Sequence, residues 1–223
     1  MDYEIFETKT RVLADNDAAA EQTRALMREN GAKLVNLMGS PGAGKTTLLL
    51  RLIKALKPLR VGVMEADVDS DVDARAVAET GARVIQLHTA GLCHMDADMT
   101  RRGLERLGLA GLDVVFLENI GNLVCPAEFE VGANARLVLL SVPEGDDKPL
   151  KYPLMFRVAD ALAVTKLDTL PAFDFDLEAL QRRVAALNPA APVFPLCARS
   201  GEGVDALARW LKDSMEAIRH EDH

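Results

Sequence analysis

The sequence predicts a single α/β domain built on a mostly parallel sheet of about seven strands, with helices on both faces. The chain has 223 residues, of which 49% are hydrophobic, and this is enough for one well-buried core. Short apolar runs alternate along the chain with longer segments of helical periodicity. Most of the short runs are continuously apolar, as is typical of strands that helices cover on both faces.

The elements follow one another in the order expected of this class. Strands are predicted over residues 35–38, 59–64, 83–87, 112–117, 137–142, 161–164 and 193–196. Helices are predicted over residues 45–56, 96–107, 177–187 and 204–218. A further helical segment over residues 15–30 has Asp15 or Asp17 as a candidate N-cap and Gly31 at its end. We therefore divide the chain into an N-terminal helical extension, residues 1–32, and a main domain, residues 33–223.

Charge and cysteine content narrow the classes of function. The formal net charge of -8 disfavours a nucleic-acid partner, because an acidic surface repels phosphate backbones. No stretch approaches the roughly 20 apolar residues that span a bilayer, and the N-terminus lacks the pattern of a secretory signal. We therefore expect a cytoplasmic protein without a membrane partner. Three cysteines argue against a disulfide framework and favour metal binding as their chemistry.

A phosphate-binding loop is the strongest motif. Residues 39–46 match G-x-x-x-x-G-K-[ST] at every fixed position, directly after an apolar strand and directly before a helix. Backbone N–H groups would surround the β-phosphate, Lys45 would reach the β- and γ-phosphates, and the Thr46 hydroxyl would coordinate Mg²⁺. The motif predicts a P-loop nucleotide hydrolase. The predicted nucleotide contacts of this loop are Gly39, Gly42, Ala43, Gly44, Lys45, Thr46 and Thr47.

The segment after the fourth strand resembles a GTPase switch. Glu118-Asn119-Ile120-Gly121 has the form of D-x-x-G with Glu in place of Asp. In this interpretation the Gly121 N–H senses the γ-phosphate, and the Glu118 carboxylate holds Mg²⁺. Asp67 is a second candidate, because it also follows a strand at the sheet edge where α/β proteins bind ligands. The predicted catalytic residues are Lys45, Thr46, Asp67 and Glu118, and the last three are also the predicted Mg²⁺ ligands.

Three more aspartates alternate with the residues that follow Asp67. Asp69, Asp71 and Asp73 could belong to a switch loop near Mg²⁺. We interpret them instead as mainly solvent-exposed side chains, with Asp73 capping the next helix.

Two segments near the C-terminus predict a guanine site. Thr165-Lys166-Leu167-Asp168 resembles the N-K-x-D motif of GTPases with Thr in place of Asn. The aspartate of that motif accepts both N1–H and N2–H of guanine, which adenine cannot offer. Cys197-Ala198-Arg199 resembles the S-A-K/R loop whose backbone contacts guanine O6. The predicted base contacts are Lys166, Asp168, Cys197, Ala198 and Arg199.

A thiolate–imidazole set is the third candidate site. Cys93 and His94 are adjacent, and Cys125 lies seven residues after Glu118. Sulfur and imidazole ligands suit Zn²⁺ or Ni²⁺ better than Mg²⁺. The alternative is that Cys93 and Cys125 are small core residues, as free cysteines commonly are. Three ligands fall short of a tetrahedral set, which a two-fold dimer could complete.

Three segments together resemble the HypB family, GTPases that assist nickel insertion in [NiFe]-hydrogenase maturation. They are residues 91–97, 118–126 and 141–153, and the resemblance covers nearly the whole chain. It implies a SIMIBI-class P-loop fold, slow GTP hydrolysis and a GTP-promoted homodimer. It also implies nickel or zinc bound by Cys93, His94 and Cys125 at the dimer interface. The implied partners are a HypA-type zinc metallochaperone and the hydrogenase large-subunit precursor.

The sequence also departs from that pattern and leaves other interpretations open. Many relatives begin with a Cys-x-x-Cys-Gly-Cys nickel site, whereas this N-terminus has neither cysteine nor histidine. The urease-accessory GTPase UreG is the nearest alternative, but it carries its ligands in Cys-Pro-His. An ATP-dependent ParA-like protein or kinase is an alternative of another class, which Lys166 and Asp168 disfavour. A metal-binding scaffold with a degenerate nucleotide site is a third, which Lys45 and Thr46 disfavour.

Overall fold

The protein forms one seven-stranded parallel sheet flanked by helices. The computed structural model describes residues 8–67, 72–89 and 91–221. The sheet has the order β3-β2-β4-β1-β5-β6-β7, and every pair of neighbouring strands is parallel. The strands are β1 (Lys33–Gly39), β2 (Val61–Asp67), β3 (Arg83–His88), β4 (Val114–Glu118), β5 (Ala135–Ser141), β6 (Ala161–Thr165) and β7 (Val193–Pro195). The predicted single-domain α/β class with seven strands is confirmed.

The helices alternate with the strands and include several short ones that the sequence did not predict. They are α1 (Thr8–Glu29), α2 (Lys45–Ala55), α3 (Val72–Ala78), α4 (Ala97–Leu107), α5 (Cys125–Glu128), α6 (Lys148–Lys151), α7 (Pro153–Val158), α8 (Leu177–Leu187) and α9 (Val204–Glu221). Two 3-10 helices span Val142–Glu144 and Leu167–Ala172. The long helices α2, α4, α8 and α9 begin within one residue of the predicted positions. Within the described ranges, no helix combines the length and apolar character that crossing a bilayer requires.

Each face of the sheet buries its own apolar layer. On one face, Leu37, Phe116 and Leu139 pack with α2 and α9. On the other face, Leu34 and Leu117 pack with α1 and α4. A third cluster on this second face joins β5 and β6 to α7 and α8. Because helices cover both faces, the strands are buried on both sides, and this explains their continuous apolar runs.

The N-terminal helix begins earlier than predicted. Helix α1 starts at Thr8, so Asp15 and Asp17 lie inside it as exposed residues, and the prediction that one of them is the N-cap is wrong. Asn16 between them is buried: its Nδ2 donates to Glu130 O at 2.8 Å, and its Oδ1 accepts from Ala97 N at 3.0 Å. Asn16, rather than either aspartate, therefore makes the tertiary contacts at this point of the helix. Gly31 follows the end of the helix with a φ of 62°, as a terminating glycine does.

The sheet topology gathers the predicted site residues at one edge. In parallel strands all carboxyl ends lie at the same edge, where ligands bind in open α/β sheets. The phosphate loop follows β1, while Asp67 ends β2 and Glu118 ends β4. Strand β4 lies between β1 and β2, so these two carboxyl groups stand beside the loop.

Candidate functional site

The phosphate loop links β1 to α2 in the conformation that its glycines permit. Gly44 is the N-cap of α2 in the left-handed region, with a φ of 92° that a residue with a side chain would rarely adopt. Lys45 is buried at 8% exposure, and its Nζ donates to Ser40 O at 3.3 Å. The switch segment approaches the loop closely, since a Cβ on Gly121 would lie 2.7 Å from Pro41 N. The loop and the switch segment therefore form one packed unit.

A cavity of about 610 Å³ lies against this loop. Most of the predicted phosphate and Mg²⁺ contacts line it. They are Gly42, Gly44, Lys45, Thr46, Thr47, Asp67, Glu118 and Gly121, and the predicted base contact Lys166 lines the cavity as well. Gly39 and Ala43 are outside its lining: Gly39 ends β1, and Ala43 is fully buried beneath the loop. The Thr46 hydroxyl donates to Glu118 Oε1 at 2.9 Å, so two predicted Mg²⁺ ligands are in direct contact.

Four carboxyl groups line the cavity, two more than the sequence predicted. They belong to Glu65, Asp67, Asp73 and Glu118. Asp73, interpreted above as a solvent-exposed or capping residue, lies inside the first turn of α3 rather than at its N-cap, and its exposed side chain lines the cavity. Asp69 and Asp71 lie outside the described residues. So much negative charge around a phosphate-binding loop is suited to an anion that arrives with a divalent cation.

Glu65 and Glu118 form a buried carboxyl pair. They are register partners on β2 and β4, with exposures of 3% and 6%. Burial raises the pKa of Glu65 to about 9, and repulsion by Glu118 adds to the shift. Burial also raises the pKa of Glu118 to about 7, although Lys45 and the Thr46 hydroxyl oppose that rise. Both shifts favour the protonated carboxyl group while no cation is bound, and the shift is larger for Glu65 than for Glu118.

Several buried polar atoms around this pair have no hydrogen-bond partner among the described residues. They are Glu65 Oε1, Glu118 Oε2 and both amide atoms of Gln86. Gln86 is the register partner of Glu65 on β3 and lines the same cavity. Unpartnered buried oxygens of this kind are costly unless a ligand engages them. Together with the Thr46 hydroxyl they fit a hydrated Mg²⁺ ion.

A second cavity of about 280 Å³ adjoins the first and contains the predicted base contacts. It is lined by Asp168, Cys197, Ala198 and Arg199, and it shares Gly44, Thr47 and Lys166 with the phosphate cavity. The Cys197 thiol donates to Asp168 Oδ1 at 3.2 Å and holds that carboxylate in place. Lys166, which lines both cavities, donates from its Nζ to Gly42 O at 2.6 Å. The two cavities therefore meet at these shared residues, with the predicted base contacts in one and the predicted phosphate contacts in the other.

Two residues brace this site in ways that the motifs do not specify. The Thr165 hydroxyl donates to Ala43 O at 2.6 Å, so threonine in place of the usual asparagine ties the base segment to the phosphate loop. Arg51 on α2 donates to Ala198 O at 2.8 Å and to Arg199 O at 2.6 Å. The base loop is therefore fastened to the helix that follows the phosphate loop.

The predicted thiolate–imidazole residues come together in space. Ligand atoms of Cys93, His94 and Cys125 all lie within 4.8 Å of one another, which makes them a candidate metal-binding group among the described residues. The two sulfur atoms are 3.0 Å apart, and the His94 ring stacks on Phe129 with centroids 3.9 Å apart. Cys93 is exposed, so the alternative that it is a core residue is wrong.

The electrostatics of the three groups act on metal binding in two directions, since the shift at His94 favours coordination and the shift at Cys125 opposes it. Burial lowers the pKa of His94, which keeps the ring neutral and able to coordinate at neutral pH. The hydrogen bond with Cys93 raises the pKa of Cys125, and burial adds to the shift. A metal ion that binds these sulfur atoms would have to displace their protons.

Comparison with known proteins agrees with this geometry. Residues 33–195 match the family model described as CobW/HypB/UreG, nucleotide-binding domain. The hydrogenase maturation factor HypB of Rhizobium leguminosarum bv. viciae is 42% identical over 211 residues, which are 94% of this chain and 71% of that protein. The chain belongs to the HypB branch of the CobW/HypB/UreG family.

Solved HypB structures share the fold over almost the whole chain. HypB from Helicobacter pylori, crystallised in complex with nickel, superposes with a TM-score of 0.88 at 34% identity, covering 92% of this chain and 96% of that one. HypB from Archaeoglobus fulgidus gives a TM-score of 0.84 at 34% identity, covering 91% and 99%. The fold shared with these HypB structures therefore extends over more than nine-tenths of this chain.

Sequence reasoning missed Glu65, Gln86 and Arg51 in this HypB-family site. Glu65 stands two residues before Asp67 in an otherwise apolar strand, and a charged residue inside a buried strand is the signal that could have found it. Gln86 occupies a comparable position in β3. Arg51 carries no such signal, because arginine on a helix is ordinary.

Replacing Glu65 with glutamine is expected to stabilise the nucleotide-free protein at pH 8 by about 2 kcal/mol, a rise in Tm of roughly 4–8 °C. The pKa of Glu65 is raised in the folded state, so the favourable contribution of its neutral form is present below pH 4.5 and is lost as the pH rises towards 9. Thermal unfolding of wild type and variant between pH 4 and pH 9 measures this. The gain should grow with pH and vanish near pH 4. Glu79→Gln at an exposed position is the control, and an equal gain there would refute the explanation.

Proposed function

We propose that the chain is a GTP-hydrolysing switch protein that binds nickel as cargo and assists its insertion into [NiFe]-hydrogenase. The names of its relatives as hydrogenase maturation factors and the nickel complex of a similar structure support this proposal. One observation carries it: the segment from Glu118 to Cys125 begins in the nucleotide cavity and ends in the group of Cys93, His94 and Cys125, which we call the thiolate cluster. A segment of eight residues thus joins a candidate switch to a candidate cargo site.

The nucleotide site has the groups that phosphoryl transfer to water requires. Lys45 would neutralise charge on the β- and γ-phosphates, and loop N–H groups would orient them. Magnesium, when bound with the nucleotide, supplies the positive charge that offsets both the phosphates and the surrounding carboxylates. Thr46, Asp67 and Glu118 would hold that ion, and the Gly121 N–H would contact the γ-phosphate. Loss of the γ-phosphate would remove the contact of the Gly121 N–H. Because Gly121 packs on Pro41, the switch segment and the phosphate loop would then change together.

Guanine selectivity is proposed to rest on Asp168. The Cys197 thiol fixes one carboxylate oxygen, and both oxygens are acceptors for the N1–H and N2–H donors of guanine. Adenine presents an acceptor at N1 and no N2 donor, so an ionised aspartate repels it.

Replacing Asp168 with asparagine is expected to weaken GTP binding by about 100-fold, because an amide cannot accept both guanine donors. Competition of GTP or ATP against a fluorescent GDP analogue measures the change, with Asp174→Asn at an exposed position as control. Wild type should prefer GTP by at least about 100-fold. Equal competition by ATP would favour the ParA-like alternative and overturn the GTPase proposal.

The cargo site is proposed to be completed in a GTP-promoted homodimer. Cys93, His94 and Cys125 give three ligands per chain, and the apolar side chains of Leu92 and Val124 beside them are about half exposed, at 50% and 49%. A second copy would cover those side chains and add ligands from its own cluster. Zn²⁺ would compete for the same sulfur and imidazole donors. A HypA-type zinc metallochaperone and the hydrogenase large-subunit precursor are the proposed partners for metal transfer.

A further inference from the structure

Asn122 lies between the nucleotide cavity and the thiolate cluster and is bonded to both sides. Its backbone N–H donates to Gly39 O at 3.0 Å, in an antiparallel bridge between the two residues. Gly39 is the last residue of β1 and the first of the phosphate loop. The backbone of Asn122 therefore moves with the start of that loop.

The side chain of Asn122 reaches the two segments that carry the cysteines. Its Nδ2 donates to the main-chain oxygen of Cys93 at 3.3 Å. Its Oδ1 accepts from Val124 N at 2.8 Å, and Val124 is the N-cap of the short helix α5 that begins with Cys125. One short amide thus holds both cysteine segments, whose sulfur atoms are 3.0 Å apart.

Rigid packing makes this connection effective. A Cβ on the preceding Gly121 would lie 2.7 Å from Pro41 N and 2.9 Å from Pro41 Cα, so the backbones of the loop and the switch segment are in close contact. A displacement of the phosphate loop must therefore displace the switch segment too, and the reverse also holds. Along the chain the switch segment leads only to Cys125, whereas Cys93 follows β3. The hydrogen bond from the side-chain amide of Asn122 joins the switch segment to the main chain of Cys93.

We infer that Asn122 is the positioning residue that transmits the nucleotide state to Cys93 and Cys125. Asn122 does not line the nucleotide cavity, and its side chain also hydrogen-bonds the Cys125 thiol. Loss of that bond alone would change nickel affinity in both nucleotide states, whereas the relative position of the two cysteine segments sets the difference between the states. The inference rests on the proposed function, because it needs a nucleotide state and a metal to be coupled. By linkage, the coupling is measured as the ratio of nickel affinities in two nucleotide states.

The test compares nickel affinity with GDP and with a non-hydrolysable GTP analogue in full-length variants. Asn122→Asp keeps the acceptor for Val124 N but removes the donor to Cys93 O, and Asn122→Ala removes both. The added charge of the aspartate shifts nickel affinity in both nucleotide states alike, so the ratio is the informative quantity. Asn188→Ser is the matched control, since Asn188 Nδ2 also donates to main-chain oxygens, including Ala159 O at 2.7 Å, far from both sites. The sulfur-to-nickel charge-transfer absorption is recorded in parallel.

In both Asn122 variants the ratio is expected to fall to within about twofold of one, while GDP affinity stays within about threefold of wild type. The absorption difference between the two nucleotide states should disappear with it, and Asn188→Ser should keep both. A variant that retains the wild-type ratio, even with weaker nickel binding in both states, overturns the inference. Wild type with a ratio of one contradicts the proposed function instead, so the two failures are distinguishable.

Discussion

Replacing Lys45 with methionine is expected to lower the rate of GTP hydrolysis by about 1,000-fold and to weaken GTP binding by about 100-fold. Lys45 is a buried cation beside Glu118 and three other carboxyl groups that line the cavity. Methionine has a similar length but no charge, so the phosphates and carboxylates would face one another without that cation. Phosphate release under saturating GTP and Mg²⁺ measures the rate, and equilibrium binding of a fluorescent nucleotide measures the affinity.

A lysine on the same helix gives the control for that prediction. Lys54 lies near the end of α2 and is exposed, so Lys54→Met should leave hydrolysis within about twofold of wild type. Hydrolysis that survives in Lys45→Met at more than about a tenth of the wild-type rate would show that the phosphate loop acts differently from the P-loop mechanism.

Replacing either Cys93 or Cys125 with serine is expected to weaken nickel binding by about 100-fold, because a hydroxyl is a poor ligand for a metal that prefers sulfur and imidazole. The three ligand atoms lie within 4.8 Å of one another, so each cysteine contributes a large share of the site. Nickel titration at a fixed pH measures the affinity, since the thiols must lose protons on binding.

The third cysteine separates this effect from a general loss of thiols. Cys197 is buried in the base cavity and bonded to Asp168, so Cys197→Ser should leave nickel affinity unchanged. Nickel binding that weakens equally in all three serine variants would mean that the metal is not held by the Cys93–His94–Cys125 cluster.

The fold was predictable because its signals are local. Apolar runs, most of them continuous, identified every strand, and the loop motif identified the connection from β1 to α2. The short helices α5, α6 and α7 escaped prediction, because four to six residues are too few to show helical periodicity. The start of α1 was predicted wrongly because an aspartate near a helical pattern resembles an N-cap even where the helix begins earlier.

The residue types of the site could be predicted from the sequence. The alignment of those residues between neighbouring strands could not. The spacing of Glu118 and Gly121 indicated a switch, yet only the pairing of β2 with β4 aligns Glu65 with Glu118. Likewise Cys93 and Cys125 are 32 positions apart, and their approach depends on the connections after β3 and β4. Non-local contacts of this kind follow from the order of the strands, which the sequence pattern leaves open.

Nickel titration of the wild-type protein with GDP or with a non-hydrolysable GTP analogue tests the coupled-switch account most directly. The Glu118–Cys125 segment and the Asn122 contacts join the two sites, so the nucleotide should change nickel affinity or stoichiometry, by at least about fivefold if the coupling has the usual size. The Cys93→Ala variant should lose that difference. Identical nickel binding in the two nucleotide states, or an unchanged difference in Cys93→Ala, would contradict the account and leave a GTPase whose metal site is independent of its nucleotide.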